Sequence, residues 1–328
     1  MTINRSIEEP CEVTSLMHGS GAERRGRPLR LGNKLDPDGK HVTFTDGCGI
    51  GRLRLVGNRG QKIEAFPLQH IKRVRIVHRA DGYSIQFGVE AQIQIVHQPS
   101  GRQVGIDMGL LSYYTDSLGQ TVDNPRYYRK AEQKLKRLHR RLSRKQQKSQ
   151  NRKKARKALA KGYLKVGRQR EDFARKQADA LVSSNDLIAY EQLQIRNMVK
   201  NRHLAKSIHD AGWGTFLRWV RHYGVVHGIP IPAVEPQFTS QDCSACGTRV
   251  KKSLSVRTHM CPGCGVVLDR DHNAALCILQ KARAMYPGAQ GNILFFGGGN
   301  AWGEPTSTAV SAMATQQAGS RNQEPPVL

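Results

Sequence analysis

The sequence predicts an α/β protein: a mixed sheet crossed by helices, carrying an inserted basic helical hairpin and a pair of cysteine knuckles, and preceded by a partial β-barrel of short strands. Three observations lead there. Short apolar runs near residues 104–110, 186–193 and 229–235 alternate with helical stretches, the order expected when strands and helices share one core. Four cysteines are spaced C-x2-C-x14-C-x2-C. Residues 126–176 hold 22 Lys and Arg against three acids, a net +19.

Composition narrows the class. The 328 residues suffice for one large domain or two to three small ones. Lys and Arg number 52 against 26 acids, so the chain carries +26. Such an excess points to a polyanionic partner, most simply nucleic acid. A membrane is disfavoured as that partner. No apolar run approaches the ~18 residues of a spanning helix, no signal-peptide core follows Met1, and the basic stretches lack an opposed apolar face. Of seven cysteines, Cys11, Cys48 and Cys277 have no pairing logic. That suits a reducing cytoplasm, with nucleoid association implied by the charge, better than a secreted disulfide scaffold.

In chain order, residues 1–35 lack periodicity and read as disordered. Residues 36–100 read as short strands, with Val42–Phe44, Arg52–Val56, Ile71–Val77 and Tyr83–Val89 the clearest; Asp81-Gly82 marks a hairpin between the last two. Val104–Leu110 reads as a buried strand with Asp107 near its end, continuing as a hairpin across Ser117–Gly119. In the basic block, 126–182, Leu135, Leu138 and Leu142 recur at helical spacing, and a second helix is expected from about Leu164 to Val182. Arg144 to Lys157 has almost no apolar residue and is expected to order only on binding. The candidate nucleic-acid contacts are Lys134, Arg137, Arg140, Arg141, Arg144, Lys145, Arg152, Lys153, Lys154, Arg156 and Lys157, because a charge run this one-sided repels itself without an acidic partner. Asp186–Leu193 reads as a second buried strand carrying Glu191. One amphipathic helix is expected from Asp210 to Tyr223, and Ile229–Glu235 as an edge strand, given its prolines. A helix from His272 to about Ala284 follows the cysteines. Residues 286–328 read as a disordered tail.

Cys243, Cys246, Cys261 and Cys264 have the spacing of four thiolates closing a tetrahedron around Zn2+, a structural site. Gly247, Gly263 and Gly265 stand where the knuckles must turn tightly. Four residues separate Cys264 from the segment Asp269-Arg-Asp271-His-Asn273-Ala-Ala275. Three acids then stand out: Asp107 and Glu191 on strands and Asp271 at a helix start. The order of elements resembles the ribonuclease-H-like arrangement, in which carboxylates from distant segments gather at one sheet edge and hold Mg2+ or Mn2+. The alternative is that each acid caps or pairs locally, Asp271 as the N-cap of its own helix and Asp269 with a neighbouring Arg.

Val104-Gly-Ile-Asp107-Met-Gly-Leu110, Tyr190-Glu191-Gln-Leu, Val199–Trp213, Thr239-Ser-Gln-Asp-Cys243-Ser-Ala-Cys246-Gly and Asp269–Ala275 together resemble the TnpB family of OrfB-type, zinc-ribbon transposon proteins. The resemblance spans about residues 35 to 285. It implies a RuvC-like nuclease domain (101–240 and 266–285) interrupted by the ribbon (241–265), an upstream wedge-like β domain (36–100), and metal-dependent, RNA-guided cutting of DNA. It further implies Asp107, Glu191 and Asp271 as catalytic acids holding Mg2+ or Mn2+, the four cysteines as zinc ligands, Asp269 as a non-catalytic neighbour, and a transposon-derived guide RNA as partner. Family members usually carry more chain before the first acid, so an N-terminally shortened copy is expected. The competing function is a non-catalytic nucleic-acid-binding regulator or accessory factor of a transposon. A ribosome- or polymerase-associated zinc ribbon explains the cysteines but not the spaced acids.

Overall fold

The computed structural model describes residues 2–3, 33–36, 41–44, 51–56, 68–90, 97–253 and 255–285. They fall into two compact units, the described residues up to Glu90 and those from His97 onward. Cys11, Cys48 and the expected tail at 286–328 lie outside the described residues.

The first unit is an antiparallel sheet of β1 (Thr2–Ile3), β2 (Asn33–Leu35), β3 (His41–Phe44), β4 (Gly51–Val56), β5 (Ile71–Arg79) and β6 (Gly82–Val89), ordered β2-β3-β4-β1-β6-β5. Alternation does the sorting: Leu53 is buried while Arg52 and Arg54 are exposed, and Val42, Phe44, Leu53 and Ile85 form the core. Within the stretch 1–35, expected to be disordered, Thr2–Ile3 and Asn33–Leu35 are strands. The partners of β1, β4 and β6, lie far along the chain, so its local composition carries no sign of it, whereas β2 pairs with the next strand, β3.

The second unit is built on a five-stranded sheet of β7 (Gln103–Asp107), β8 (Ser112–Asp116), β9 (Thr121–Asp123), β10 (Leu187–Glu191) and β11 (Ala233–Val234). The order is β11-β10-β7-β8-β9; β7, β10 and β11 are parallel, while β8 and β9 return antiparallel. The mixed sheet with helices is therefore present. Leu187 to Tyr190 are all buried, the pattern of a strand covered on both faces. Alternate residues serve the two sides: Ile188 and Tyr190 join the core with Val104, Ile106, Trp213 and Phe216, whereas Leu187 and Ala189 join Ile278, Leu279 and Ala282. The prolines before β11 fit an edge, since Pro230 and Pro232 only accept, from Ile188 N–H at 3.2 Å and Tyr190 N–H at 3.1 Å.

The helices are α1 (Tyr127–Ser143), α2 (Gln150–Ser183), α3 (Ile195–Met198), α4 (Arg202–Ala211), α5 (Trp213–His227) and α6 (Arg270–Met285). Two differ from expectation. The second hairpin helix begins at Gln150 rather than near Leu164, so most of the segment expected to order only on binding is helical. The Ser149 side chain caps it by accepting Arg152 N–H at 3.1 Å, and Ala155, Leu159 and Val166 supply a buried stripe met by Leu135 of α1. Lys and Arg are good helix formers, so few large apolar residues are needed there. The single helix expected from Asp210 to Tyr223 is instead a break. Gly212, at φ 69°, ends α4 and starts α5, its N–H bonding Ile208 O at 3.1 Å.

One contact sets the height of α6 above the sheet. A Cβ placed on Gly105 of β7 would fall 2.3 Å from Ala275 O and 2.7 Å from Leu279 N, so strand and helix meet backbone to backbone.

Candidate functional site

Asp107 is the last residue of β7 and Glu191 the last of β10. Tyr190 pairs with Ile106 in the parallel ladder, so the two acids follow side by side at the same sheet edge. Asp271 is the second residue of α6, the helix packed over those strands. All three candidate acids therefore end up on one side of the sheet. Burial pushes the Asp107 carboxyl up to about 8, with the negative charges of Glu191 and Asp271 adding to the push and Arg270 opposing it. Burial also raises Glu191, against the Thr239 hydroxyl, which donates to its Oε1 at 2.6 Å, and against the charge of Lys281.

Asp271 is not the cap of its helix. Asp269 takes that role, its Oδ1 accepting Asp271 N–H at 2.8 Å and His272 N–H at 3.2 Å. The Asp271 carboxylate instead accepts from Arg257 at 3.3 Å and from Arg270 Nε at 3.1 Å. Among the described residues, the four cysteines are the only set of three or more His, Cys, Asp or Glu side chains whose ligand atoms all lie within 4.8 Å of one another. The acids are thus linked by charge across a wider gap. A trio of hard carboxylate oxygen donors is still a donor set suited to Mg2+ or Mn2+.

The four sulfurs fit zinc. Cys243 and Cys264 Sγ are 3.7 Å apart, and Cys246 and Cys261 Sγ 3.5 Å, close to the ~3.8 Å edge of a tetrahedron with Zn–S near 2.3 Å. Each knuckle closes through a glycine with positive φ: Gly247 (77°) donates to Cys243 O at 2.8 Å and Gly265 (74°) to Cys261 O at 2.9 Å. Gly263 does not turn this way; its α-carbon faces the Thr248 side chain. The strands β12 (Thr258–Met260) and β13 (Val267–Asp269) flank the second knuckle and pair with each other, and β13 runs straight into α6.

Sequence reasoning missed what joins ribbon to helix. Asn273 is fully buried; its Oδ1 accepts Ser244 N–H at 3.0 Å and its Nδ2 donates to Asp242 O at 2.8 Å. Gln280 Nε2 adds a bond to Ser244 O at 2.7 Å, and Cys277, expected as a small core residue, is buried with its thiol toward Asp242 O at 3.3 Å. Thr239 was missed likewise. The only signal for either lay in their nearness in sequence to Asp271 and Cys243, because their partners are 29 and 48 residues away.

The eleven candidate phosphate contacts divide between α1, the short connection after it and α2. Ten lie on exposed or half-exposed surface without a described bond that fixes their charge. Arg152 is different: its guanidinium donates to Leu142 O at 3.2 Å and Lys145 O at 3.0 Å, closing the end of α1. It braces the hairpin tip. At the hairpin's base, the buried carboxylate of Asp210 reaches across to the start of α1.

The chain is similar to several known proteins. Residues 86–202 match the OrfB_IS605 family, described as "Probable transposase", and residues 213–278 match "Cas12f1-like, TNB domain". A Streptomyces pristinaespiralis protein named "Putative RNA-guided DNA endonuclease" is 38% identical over 183 residues, covering 55% of this chain and 45% of that protein. Escherichia coli K12 "Putative RNA-guided DNA endonuclease InsQ" is 28% identical over 231 residues, 66% of this chain and 58% of that one. The chain thus spans about half the length of the curated relatives it matches. A cryo-EM structure of a Cas12f1-sgRNA-target DNA complex aligns over 64% of this chain and 56% of its own, with 16% identity and a TM-score of 0.39. An α/β sheet followed by a four-cysteine ribbon defines the class, a zinc-ribbon protein of the transposon-encoded kind. Within it, the matched segments are those of OrfB_IS605 and Cas12f1-like TNB proteins, and the chain is similar to TnpB-type proteins. No described helix is long and apolar enough to cross a membrane.

Proposed function

We propose that the chain is a metal-dependent DNA endonuclease of the TnpB type, with the larger sheet as its RuvC-like core and a guide RNA and DNA as its partners. One observation carries the reading: Asp107 and Glu191 end adjacent parallel strands beneath the start of the helix that bears Asp271, close enough that the charges of Glu191 and Asp271 add to the effect of burial on Asp107. Asp107, Glu191 and Asp271 would hold Mg2+ or Mn2+, which when bound supplies a hydroxide and offsets charge on the leaving oxygen.

The chain's own residues do the rest. Thr239 fixes the Glu191 carboxylate by its hydroxyl. Arg257 and Arg270 hold Asp271 and would release it to a cation. The exposed bases of α1 and α2 present a cationic surface that takes up phosphate backbone in a salt-dependent way. The names of the relatives support RNA guidance of that grip.

The test is Asp107→Ala with the element's transcript and a plasmid target in Mg2+ or Mn2+. Cutting is abolished and nucleic-acid affinity is nearly unchanged; equal cutting by parent and variant removes the assignment. A second reading, a binding regulator without hydrolysis, draws on the two arginines that engage Asp271. Tight binding with no cutting of any DNA by the parent protein selects it.

A further inference from the structure

The loop that delivers Thr239 to Glu191 contains an aromatic residue in a left-handed backbone conformation. Phe238 has φ 63°, a region that a bulky side chain rarely enters. Its conformation is imposed from both sides. Its own carbonyl accepts Gln241 N–H at 2.9 Å and Asp242 N–H at 2.8 Å, and Lys281 Nζ donates to the preceding carbonyl, of Gln237. Strain of this kind persists where the surroundings over-determine it and gathers at functional sites. Glycine or asparagine would sit there with less strain.

The ring gains little from burial in return, since Phe238 is 42% exposed. It is nonetheless ordered. The Arg249 guanidinium carbon lies 3.4 Å from the ring centroid, and Arg249 is itself held by Asp242 at 2.9 Å and by the backbone bridge between the same two residues. With a guanidinium fixed over the ring, the exposed part of Phe238 is the surface a flat partner would meet. The next residue in the chain is Thr239, bonded to Glu191.

We propose that Phe238 and Arg249 form a stacking platform for an unpaired nucleobase of the strand that enters the acid site. A nucleobase is the flat, polarisable partner that an aromatic ring and a guanidinium plane both accept, and stacking of this kind is tolerant of sequence. The ligand class rests on the nuclease reading above; the geometry of the platform does not.

The experiment uses the full chain carrying Asp107→Ala, so that nothing is cut, titrated into short single-stranded DNA and RNA oligonucleotides of one sequence, each containing 2-aminopurine. Binding to at least one of them alters the fluorescence of the stacked base, and the responding strand names the source. Phe238→Gly, which accepts the backbone conformation without strain and so keeps the fold, loses the fluorescence change and weakens affinity about tenfold. Phe238→Tyr retains both. Unaltered affinity and fluorescence in Phe238→Gly, or a tyrosine variant no better than the glycine one, overturns the platform. Failure of the two readings is separable: cutting by Asp107→Ala protein would end the nuclease assignment and leave the stacking signal untouched.

Discussion

The Asp210 carboxylate accepts the backbone N–H of Tyr128 at 2.7 Å and that of Arg129 at 3.0 Å, from 82 and 81 residues further along the chain. Arg126, at the N-cap position of α1, is left-handed (φ 50°) and offers no side-chain cap, so the basic hairpin is capped from α4. An anion at a helix start also meets the positive end of the helix dipole. Asp210→Ala therefore leaves two amides without their acceptor and lowers stability by about 2 kcal/mol. Asp210→Asn, which keeps one acceptor oxygen, loses less. Urea unfolding of the three proteins measures the difference, and a hairpin freed at its base is cut faster by trypsin.

Asp186 anchors the start of β10 and gives the fold an acid limit. Its carboxylate accepts from His97 Nε2 at 2.7 Å, Ser100 N–H at 2.9 Å, Ser100 Oγ at 3.0 Å and Gly101 N–H at 2.6 Å. Burial pushes this acid up, but the bonds from Ser100, His97 and Gly101 together outweigh it and hold it below the ordinary 3.8. A depressed carboxyl contributes stability that is complete above its unfolded value and is lost as pH falls through its folded one. The urea midpoint of the parent protein falls below about pH 4 more steeply than that of Asp186→Asn.

Asp107 has the opposite sign. With its carboxyl raised from 3.8 to about 8, its ionised form opposes folding, and the penalty grows as pH rises between those values. In buffer without added Mg2+ or Mn2+, Asp107→Asn is more stable than the parent at pH 7 to 9, and the gap closes towards pH 4. Paired denaturation curves at several pH values read this directly. Equal midpoints at pH 8 would refute the raised carboxyl assigned to burial of Asp107 and to the neighbouring charges.

Asn273 links the first knuckle to α6 by one donated and one accepted bond, with no exposure to solvent. Groups that orient metal-bearing segments typically matter 10- to 100-fold in metal affinity. Asn273→Ala should lose zinc to a competing chelator about tenfold more readily, and Asn273→Asp, which keeps the acceptor for Ser244, should fall between. Zinc titration with a chromogenic chelator distinguishes the three.

Much of this architecture is written in local pattern. The apolar run Leu187–Tyr190 and the pairing motif around Val104–Asp107 read as strands because a strand buried on both faces needs an unbroken apolar stretch. The cysteine spacing is likewise local, since each knuckle closes within a few residues. What escaped reading depends on distance or on the absence of a signal. The start of α2 at Gln150 was hidden because cationic helices need few apolar residues once a narrow seam is packed. The break at Gly212 was hidden because the aromatic periodicity begins only at Trp213 and carries no sign of the helix before it. The bonds of Asp210, Thr239 and Asn273 could not be read at all, as nothing in a carboxylate or an amide names a partner 82, 48 or 29 residues off.

At Gly105, β7 and α6 touch with no side chain between them. Hydrogen as a side chain makes this residue a spacer of minimum thickness, and Asp107 and Asp271 each lie only a few residues from the contact. Even a methyl group at 105 would act as a shim, lifting the helix from the strand and changing the distance between two acids that it never meets. Variation at this silent position would thus retune the site from beneath, through the gap between backbones.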